Sequence, residues 1–270
     1  MNSLEQILDW PVDNAAAAVV TPDGVAGTVG DGTRVFPLAS VTKLLVAYGV
    51  LIAIEEGAVE LDQPAGPSGA TVRHLLAHAS GLAFDEPREQ AEPGTKRIYS
   101  SAGYAVLADF VAEQTGIAFA DYLREGVFEP LQMGDSTLTG PAGHGAESTV
   151  DDLSAFAREL LAPRLVSVET LNAATSVQFP DLGGILPGYG SQRPNDWGLG
   201  FEIRDDKQPH WTGAGNSPRT YGHFGQSGTF VWVDPELGAA CVVLTDRAFG
   251  DWAKPLWPQL SDAIVTELSG

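Results

Sequence analysis

The uncharged run LLVAYGVLIAI, at positions 44–54, restricts the fold more than any other part of the sequence. Its apolar residues are not confined to one stripe, which predicts a helix that is apolar on every side and therefore buried. A buried helix needs a core around it, and a chain of 270 residues with 44% hydrophobic content can build one. The sequence therefore predicts a globular protein of one large domain or two closely joined ones.

A serine and a lysine stand at the start of this helix, in the segment FPLASVTK. Positions three apart share a helix face, so the Ser40 hydroxyl and the Lys43 amine can meet. Burial of a charged amine is costly unless it is paired or loses its proton, and a neutral amine can act as a base for a neighbouring serine. On its own, such a pair is more often an N-cap serine beside a lysine whose amine reaches solvent.

The net charge of the chain restricts its partners. Acidic residues outnumber basic ones by 35 to 15, a formal charge of -20, which disfavours nucleic acid and anionic membranes. The N-terminal segment MNSLEQILDWPVD predicts a short amphipathic helix and lacks the basic and apolar regions of a signal peptide or membrane anchor. The single cysteine, Cys241, permits no intrachain disulfide. We therefore expect a cytoplasmic protein.

Strand and helix patterns are distributed unevenly along the chain. Turn residues PDG separate the first two strand patterns, as in a hairpin. Ser148 with Asp151, and Thr149 with Asp152, both resemble a capping box at the start of one helix. Strands are predicted at 15–21, 25–29, 197–203, 229–235 and 239–245. Helices are predicted at the N-terminus, from Ser40 onward, and at 71–78, 101–116, 119–128, 149–161 and 254–268.

This order predicts an α+β fold. Strands near both chain ends need partners, and the helical middle offers none, so one antiparallel sheet is expected from the two ends, flanked by the terminal helices. Residues 1–60 and 190–270 would form the sheet unit, and residues 61–189 an inserted helical unit, within one compact body. The aperiodic run at 181–196 is long for a loop and predicts a pocket wall.

Four segments considered together, FPLASVTK, TVRHLLAHASGL, YSSAGY and GHFGQSGTF, resemble the penicillin-recognising serine hydrolases. That family comprises class C beta-lactamases, DD-peptidases and family VIII esterases. FEPLQMGDST and WGLGF are also similar to it, so the resemblance covers most of the chain. It implies a beta-lactamase/transpeptidase-like fold and an acyl-enzyme mechanism that uses neither a metal nor an organic cofactor.

The resemblance also implies roles for individual residues. Ser40 would be the acylated nucleophile and Lys43 its partner in proton transfer. Tyr99 matches the tyrosine of the family's Tyr-x-Asn motif, where a phenolate or a shared proton serves as general base. The backbone N–H groups of Ser40 and Gln226 would form the oxyanion hole. Gly225 matches the last residue of the Lys-Thr-Gly motif, where the missing side chain would leave room for the substrate backbone.

Two positions depart from the family pattern, and both concern the substrate. Ser101 stands where the family usually has asparagine, and its shorter side chain reaches less far towards an acylamino group. His223 stands where beta-lactamases and peptidases have the lysine that binds the substrate carboxylate. With an unperturbed pKa of about 6.5, it is expected to be mostly neutral at pH 7 and to gain charge in acid. Both changes favour a small ester or amide, neutral or lightly charged, as the substrate.

Three interpretations stay open. The first is an esterase-like serine hydrolase acting on a small acyl substrate. The second is a beta-lactamase or D-Ala-D-Ala carboxypeptidase. The third is a catalytically weak relative that binds a ligand or a protein partner. The sequence does not indicate an oligomeric state.

Several other residues are predicted to be structural. His74 and His78 have the spacing of metal ligands, but no third ligand accompanies them. Ser227 lies in GQSGT, which lacks the last glycine of a nucleophile elbow, so a turn or pocket position is expected. Three tryptophans are expected in the core or along a pocket: Trp197, Trp211 and Trp232.

Overall fold

The computed structural model describes all 270 residues of the chain. Besides the regular elements it has a 3₁₀ helix at Asn2–Asp9, a 3₁₀ turn at Ala39–Val41 and a π-helical turn at Arg124–Phe128. The α-helices are α1 (Thr42–Glu55), α2 (Val72–Leu76), α3 (Ser101–Thr115), α4 (Phe119–Leu123), α5 (Val150–Leu161), α6 (Val168–Ala174) and α7 (Ala253–Ser269). The strands are β1 (Ala15–Thr21), β2 (Gly24–Val29), β3 (Phe36–Pro37), β4 (Thr137–Leu138), β5 (Ala146–Ser148), β6 (Gly184–Leu186), β7 (Gly190–Gln192), β8 (Glu202–Ile203), β9 (Tyr221–Gly225), β10 (Thr229–Asp234) and β11 (Ala239–Thr245).

The main sheet joins the two ends of the chain, as predicted. Its strand order is β2-β1-β11-β10-β9-β8, and every pairing is antiparallel. The first long strand pairs with the last one, from Ala15 opposite Thr245 to Val20 opposite Ala240. The α+β fold with an antiparallel sheet from both ends is therefore confirmed.

Each face of this sheet carries its own core, because side chains alternate across a strand. In β11, Val242 and Leu244 belong to a cluster of 51 buried residues that includes α1 and α5. Cys241 and Val243 belong to a second cluster, of 17 residues, shared with the N-terminal 3₁₀ helix and α7. The terminal helices thus flank one face, and the helical middle of the chain covers the other.

The helix α1 is buried along its length, as its uniform apolar composition predicts. Every residue from Thr42 to Ala53 is buried, and the helix packs against α3, α4 and β9. Gly49 allows a close approach, since a side chain there would begin 3.0 Å from Leu123 Cδ1. Lys43 is consequently fixed inside the protein by the helix that carries it.

Several predicted elements differ from the observed ones. The N-terminal helix is 3₁₀ rather than α, helix 119–128 continues as a π turn, and α6 and the β6–β7 hairpin were not predicted. The strand predicted at 197–203 is reduced to Glu202 and Ile203. A side chain at Gly198 would lie 2.0 Å from the Ala174 carbonyl oxygen, so close packing against α6 replaces strand pairing there.

Helix α5 packs against β1 and β11, although the sequence placed residues 149–161 in the helical insertion. Of its two predicted caps the one at Thr149 is present, because the Thr149 side chain accepts a hydrogen bond from the Asp152 N–H. The Ser148 hydroxyl instead lies 2.7 Å from the Ser136 hydroxyl. The division into residues 1–60 plus 190–270 and residues 61–189 stays a prediction. None of the helices combines the length and the apolar character needed to span a bilayer.

Candidate active site

Ser40 lies in the 3₁₀ turn that leads into α1. Ala39 just before it has a φ of 46°, in the left-handed region, where a residue other than glycine is strained by roughly 1–2 kcal/mol. The first N–H groups of a helix have no acceptor within the helix, and that of Ser40 is one of them. The turn therefore places Ser40 at the wall of the cavity described below.

Lys43 meets Ser40 as the spacing predicts, and it does so without a charged partner. Its Nζ lies 3.3 Å from Ser40 Oγ, 3.0 Å from Ser101 Oγ and 2.7 Å from the Gly143 carbonyl oxygen. Burial is the cause that holds the pKa of Lys43 well below its usual value, and no carboxylate offsets it. A neutral amine has two N–H bonds and one lone pair, so donation to Gly143 and Ser101 leaves the lone pair for the Ser40 hydroxyl.

Tyr99 lies beside this pair. Its hydroxyl is 3.3 Å from His223 Nε2, and its ring centroid is 4.6 Å from Lys43 Nζ. Burial raises the pKa of Tyr99, and a smaller lowering by the Ser40 hydroxyl does not reverse the effect. Tyr99 is therefore a neutral phenol at pH 7. The phenolate that the family resemblance offered as one form of the base is not the resting state of this site.

The loop that carries Tyr99 is held by hydrogen bonds on either side of it. The Ser100 side chain caps α3 by accepting from the Gly103 N–H at 2.9 Å, and the Ser100 N–H donates to His78 Nδ1 at 3.1 Å. The His78 ring packs on Tyr99, with centroids 4.6 Å apart. His78 thus braces the loop, as predicted, while His74 contacts the Thr71 hydroxyl at 2.9 Å.

His223 is on β9 and is only 4% exposed. Burial, and then the proximity of Lys43, lowers the pKa of His223 to about 3. The expectation that acid would charge this residue in the neutral to mildly acidic range is therefore wrong. The sequence could not reveal this, because the shift comes from burial and from a lysine far away in the chain.

Gly225 has no side chain because the protein's own backbone occupies the space. A Cβ there would lie 2.3 Å from the Leu38 carbonyl oxygen and 2.5 Å from Thr229 Oγ1. Close packing of β9 against the turn that holds Ser40 therefore requires glycine here, and the expected room for the substrate backbone stays a prediction. Next to it, the Gln226 N–H has no acceptor in the chain. A free amide at this position is what the predicted oxyanion hole requires.

A cavity of about 310 Å³ opens at Ser40. Leu186 and Pro187 form part of its wall, which confirms the prediction for the run at 181–196. Trp232 is instead fully buried in the core and donates to Ser261 Oγ at 3.1 Å. The cavity is lined by Ser40, Phe84, Tyr99, Leu186, Pro187, Trp197, Glu202, Trp211, His223, Phe224 and Gln226. A larger cavity, of about 690 Å³, lies between α5 and α6 and contains none of the predicted site residues.

Sequence reasoning missed a buried network at the wall of the cavity. The Glu202 carboxylate accepts from Trp211 Nε1 and His210 Nε2, each at 2.9 Å, and forms an ion pair with Lys207. Burial opposes its ionisation, yet Lys207 and His210 lower the pKa of Glu202 to about 2. This network fixes the indole of Trp211. Its members lie in an aperiodic stretch, EIRDDKQPHW, which gave no signal of contact.

Arg97 is a second residue that the sequence did not single out. It is 1% exposed and donates to the carbonyl oxygens of Ala77, Gln178 and Asn195, at 2.6, 2.7 and 3.0 Å. Burial lowers the pKa of Arg97 to about 10, which still leaves it charged at pH 7. It ties the wall of the cavity to the segment that follows α2. Ser227, in contrast, lies in the predicted turn, 3.2 Å from the Thr229 hydroxyl.

Comparison with known proteins identifies the family. The model of the Beta-lactamase family matches residues 12–263. The crystal structure of a beta-lactamase from Mycobacterium bovis has 59% sequence identity and a TM-score of 0.98, and the match covers 99% of this chain and 100% of that one. Penicillin-binding protein 4* of Bacillus subtilis is 27% identical over 38% of this chain and 30% of its own length. The D-alanyl-D-alanine-carboxypeptidase/endopeptidase AmpH of Escherichia coli is 28% identical over 38% of this chain and 36% of its own length.

The matches to the two curated relatives thus span about a third of each relative, whereas the match to the solved structure covers nearly all of both chains. The near-superposition on that structure agrees with the predicted beta-lactamase/transpeptidase-like fold. The chain therefore belongs to the beta-lactamase family, whose members are serine hydrolases.

Proposed function

We propose that the protein is a serine hydrolase that forms an acyl-enzyme on Ser40 and acts on a small uncharged ester or amide with an apolar acyl group. The observation that carries this proposal is the absence of a free cation in the cavity around Ser40. His223 and Lys43 are held neutral by burial, and the Glu202 carboxylate is paired with Lys207. The remaining wall is mostly apolar or aromatic.

Acylation begins with the neutral Lys43. As Ser40 Oγ bonds to the carbonyl carbon of the substrate, the Lys43 lone pair takes the hydroxyl proton, across the 3.3 Å that separate the two atoms. The carbonyl oxygen becomes an oxyanion. The N–H groups of Ser40 and Gln226 donate to it, and loss of one such donor typically slows the reaction by about 10²–10³-fold.

The intermediate then collapses. The bond between the carbonyl carbon and the leaving oxygen or nitrogen breaks, and the leaving group takes the proton that Lys43 carries. Tyr99 lies beside Ser40 and Lys43, and its side chain is a neutral phenol. It therefore acts as a hydrogen-bond partner during this transfer rather than as the initial base. Water then attacks the acyl carbon and gives a proton to Lys43. The bond between that carbon and Ser40 Oγ breaks, Ser40 takes the proton back from Lys43, and the acid product leaves.

The charge of the cavity supports a neutral substrate. A carboxylate transferred from water into a mostly apolar cavity is unfavourable unless a cation or several donors meet it. Penicillins and D-Ala-D-Ala peptides carry such a carboxylate, and the residue that would meet it is the uncharged His223. Ser101, shorter than asparagine, donates no amide hydrogen to an acylamino side chain.

A beta-lactamase or D-Ala-D-Ala carboxypeptidase is the second candidate. It is favoured by the similarity to the beta-lactamase of Mycobacterium bovis and to the carboxypeptidase of Escherichia coli. The third candidate, a ligand- or protein-binding relative without turnover, is less well supported, because Ser40, Lys43 and Ser101 are in direct contact in a reactive arrangement.

The test combines kinetics with intact mass. The protein and its Ser40→Ala variant are incubated with p-nitrophenyl butyrate and with nitrocefin. We expect turnover of the ester by the wild type, a transient mass increase equal to one acyl group, and neither in Ser40→Ala. Faster turnover of nitrocefin than of the ester would favour the second candidate. Neither turnover nor an adduct with either compound would favour the third candidate, a binding protein without turnover.

A further inference from the structure

The two ring nitrogens of His223 face different partners. Nδ1 lies 2.7 Å from the carbonyl oxygen of Phe224, and Nε2 lies 3.3 Å from the Tyr99 hydroxyl. A carbonyl oxygen only accepts hydrogen bonds, so Nδ1 must carry the hydrogen. In the neutral ring, Nε2 then has a lone pair, and the hydrogen bond to Tyr99 runs from the phenol to the histidine.

The surroundings keep the ring neutral. A second proton would place a positive charge on a side chain that is 4% exposed. Burial is the main obstacle to that charge, and the nearby carboxylate that would favour it, Glu202, is already paired with Lys207. The other titratable groups nearby are Tyr99 and His78, whose rings are uncharged because burial raises the pKa of Tyr99 and lowers that of His78. Nε2 is therefore an acceptor across the range from mild acid to mild base.

We propose that His223 is a positioning residue, which takes the hydrogen bond of the Tyr99 hydroxyl and so turns an oxygen lone pair of Tyr99 towards Ser40. This inference rests on the proposed function only for its catalytic consequence, since the hydrogen-bond direction exists without turnover. His223 thereby departs from the substrate-binding role that the family resemblance implies for its position.

The direction of this hydrogen bond arranges the hydroxyl of Ser40. The Ser40 side chain faces two groups that can accept its hydrogen, the Lys43 amine and the Tyr99 oxygen. With the phenol hydrogen pointing to His223, no donor competes for the lone pair of Lys43. A lysine at position 223 would reverse the arrangement, because an ammonium group only donates and would turn the phenol hydrogen back towards Ser40 and Lys43.

The direct test is nuclear magnetic resonance of the five histidines in protein labelled with ¹⁵N at the imidazole nitrogens. The His223 signals are assigned by their loss in His223→Gln. We expect the Nδ1–H tautomer without protonation from about pH 5 to 8, the interval in which an ordinary histidine titrates. In Tyr99→Phe the tautomer should persist while the Nε2 signal moves to that of a nitrogen without a hydrogen bond. An Nε2–H tautomer, or protonation within the interval, would overturn the proposal.

The catalytic consequence is tested with two substitutions at the same position. His223→Gln offers an amide oxygen in place of Nε2, whereas His223→Phe has a ring of similar shape and no acceptor. We expect His223→Phe to lose about 10- to 100-fold in kcat with KM nearly unchanged, and His223→Gln to recover most of the loss. Equal losses in both variants, or a change confined to KM, would contradict a positioning role. Because the tautomer is measured without substrate, failure of the hydrolase proposal is distinguishable from failure of this one.

Discussion

Two buried lysines of this protein, Lys43 and Lys207, show how a partner decides what a buried amine does. They are 0% and 3% exposed. Burial lowers the pKa of both, but Lys207 has Glu202 beside it, which raises its pKa in opposition. The hydrogen-bond partners of the Lys43 amine are hydroxyl and carbonyl oxygens, none of which is charged. The first amine is thereby left neutral and available to accept a proton, while the second is held as part of an ion pair.

The two sites use the same residue for opposite purposes. Around Glu202, the carboxylate is paired with the Lys207 amine, and each of its two oxygens accepts a hydrogen bond. The network therefore fixes Trp211 and leaves no reactive group. Around Lys43 the protein omits the counterion, which makes the amine reactive at a cost in stability. Substitution of each lysine in turn tests this difference.

The largest expected effect is on activity, in Lys43→Met. The variant removes the proton acceptor of Ser40 while retaining a flexible apolar side chain, so we expect kcat/KM for p-nitrophenyl butyrate to fall by about 10²–10⁴-fold. The double variant with Ser40→Ala should fall little further than Ser40→Ala alone, because residues that act as one unit are not additive. Steady-state rates measure this, and a value for Lys43→Met within twofold of the wild type would show that the base lies elsewhere.

The next effect is on stability, in the matched variant Lys207→Met. Removal of one member of a buried pair leaves the Glu202 carboxylate uncompensated, which typically costs about 3–5 kcal/mol. Lys43→Met leaves no buried charge without its partner, so the free energy of unfolding should be unchanged or raised. Urea denaturation of the two variants gives both values. An equal loss of unfolding free energy in both variants would mean that Lys43 contributes as much to stability as Lys207 does.

A smaller effect concerns acid. The pKa of Glu202 is lowered to about 2, below its value in the unfolded chain, so its contribution to stability is present above an unfolded pKa of about 4.3. That contribution is lost as the pH falls from there through about 2. Glu202→Gln has no such proton to take up and should show a shallower loss of stability over the same interval. Parallel profiles from thermal unfolding at each pH would refute this assignment.

The smallest expected effect concerns the second oxygen partner of Lys43. Ser101→Asn adds an amide that can donate to an acylamino group, a contact of about 1 kcal/mol or roughly a fivefold change. We expect kcat/KM for nitrocefin to rise by that order while the ester rate stays level or falls slightly. The two substrates are compared in the same preparations. A parallel rise for both would indicate a change in Lys43 rather than in substrate recognition.

The sequence predicted those parts of the site that depend on residues close together in the chain. The run after Lys43 predicts a buried helix because its composition is uniform around the helix axis, and the spacing of Ser40 and Lys43 predicts their contact. The contact of Lys43 with the Gly143 carbonyl and the contact of His78 with the Tyr99 loop join segments that meet only in the folded chain. No local sequence pattern predicts either contact. The expectation that mild acid would charge His223 was wrong for the same reason, since burial in the folded chain sets its pKa.

The close packing at Gly225 has a consequence for the order in which the protein becomes active. The close approach of Leu38 and Gly225 holds the segment before Ser40 against the strand before Gln226. Ser40 and Gln226, which carry the two proposed oxyanion donors, both line the cavity. A nascent chain that has emerged only as far as α6 already contains Ser40, Lys43 and Tyr99 but has one donor of the two. Under the proposed function, such a chain is not yet a hydrolase, and it becomes one when β9 and β10 join the sheet.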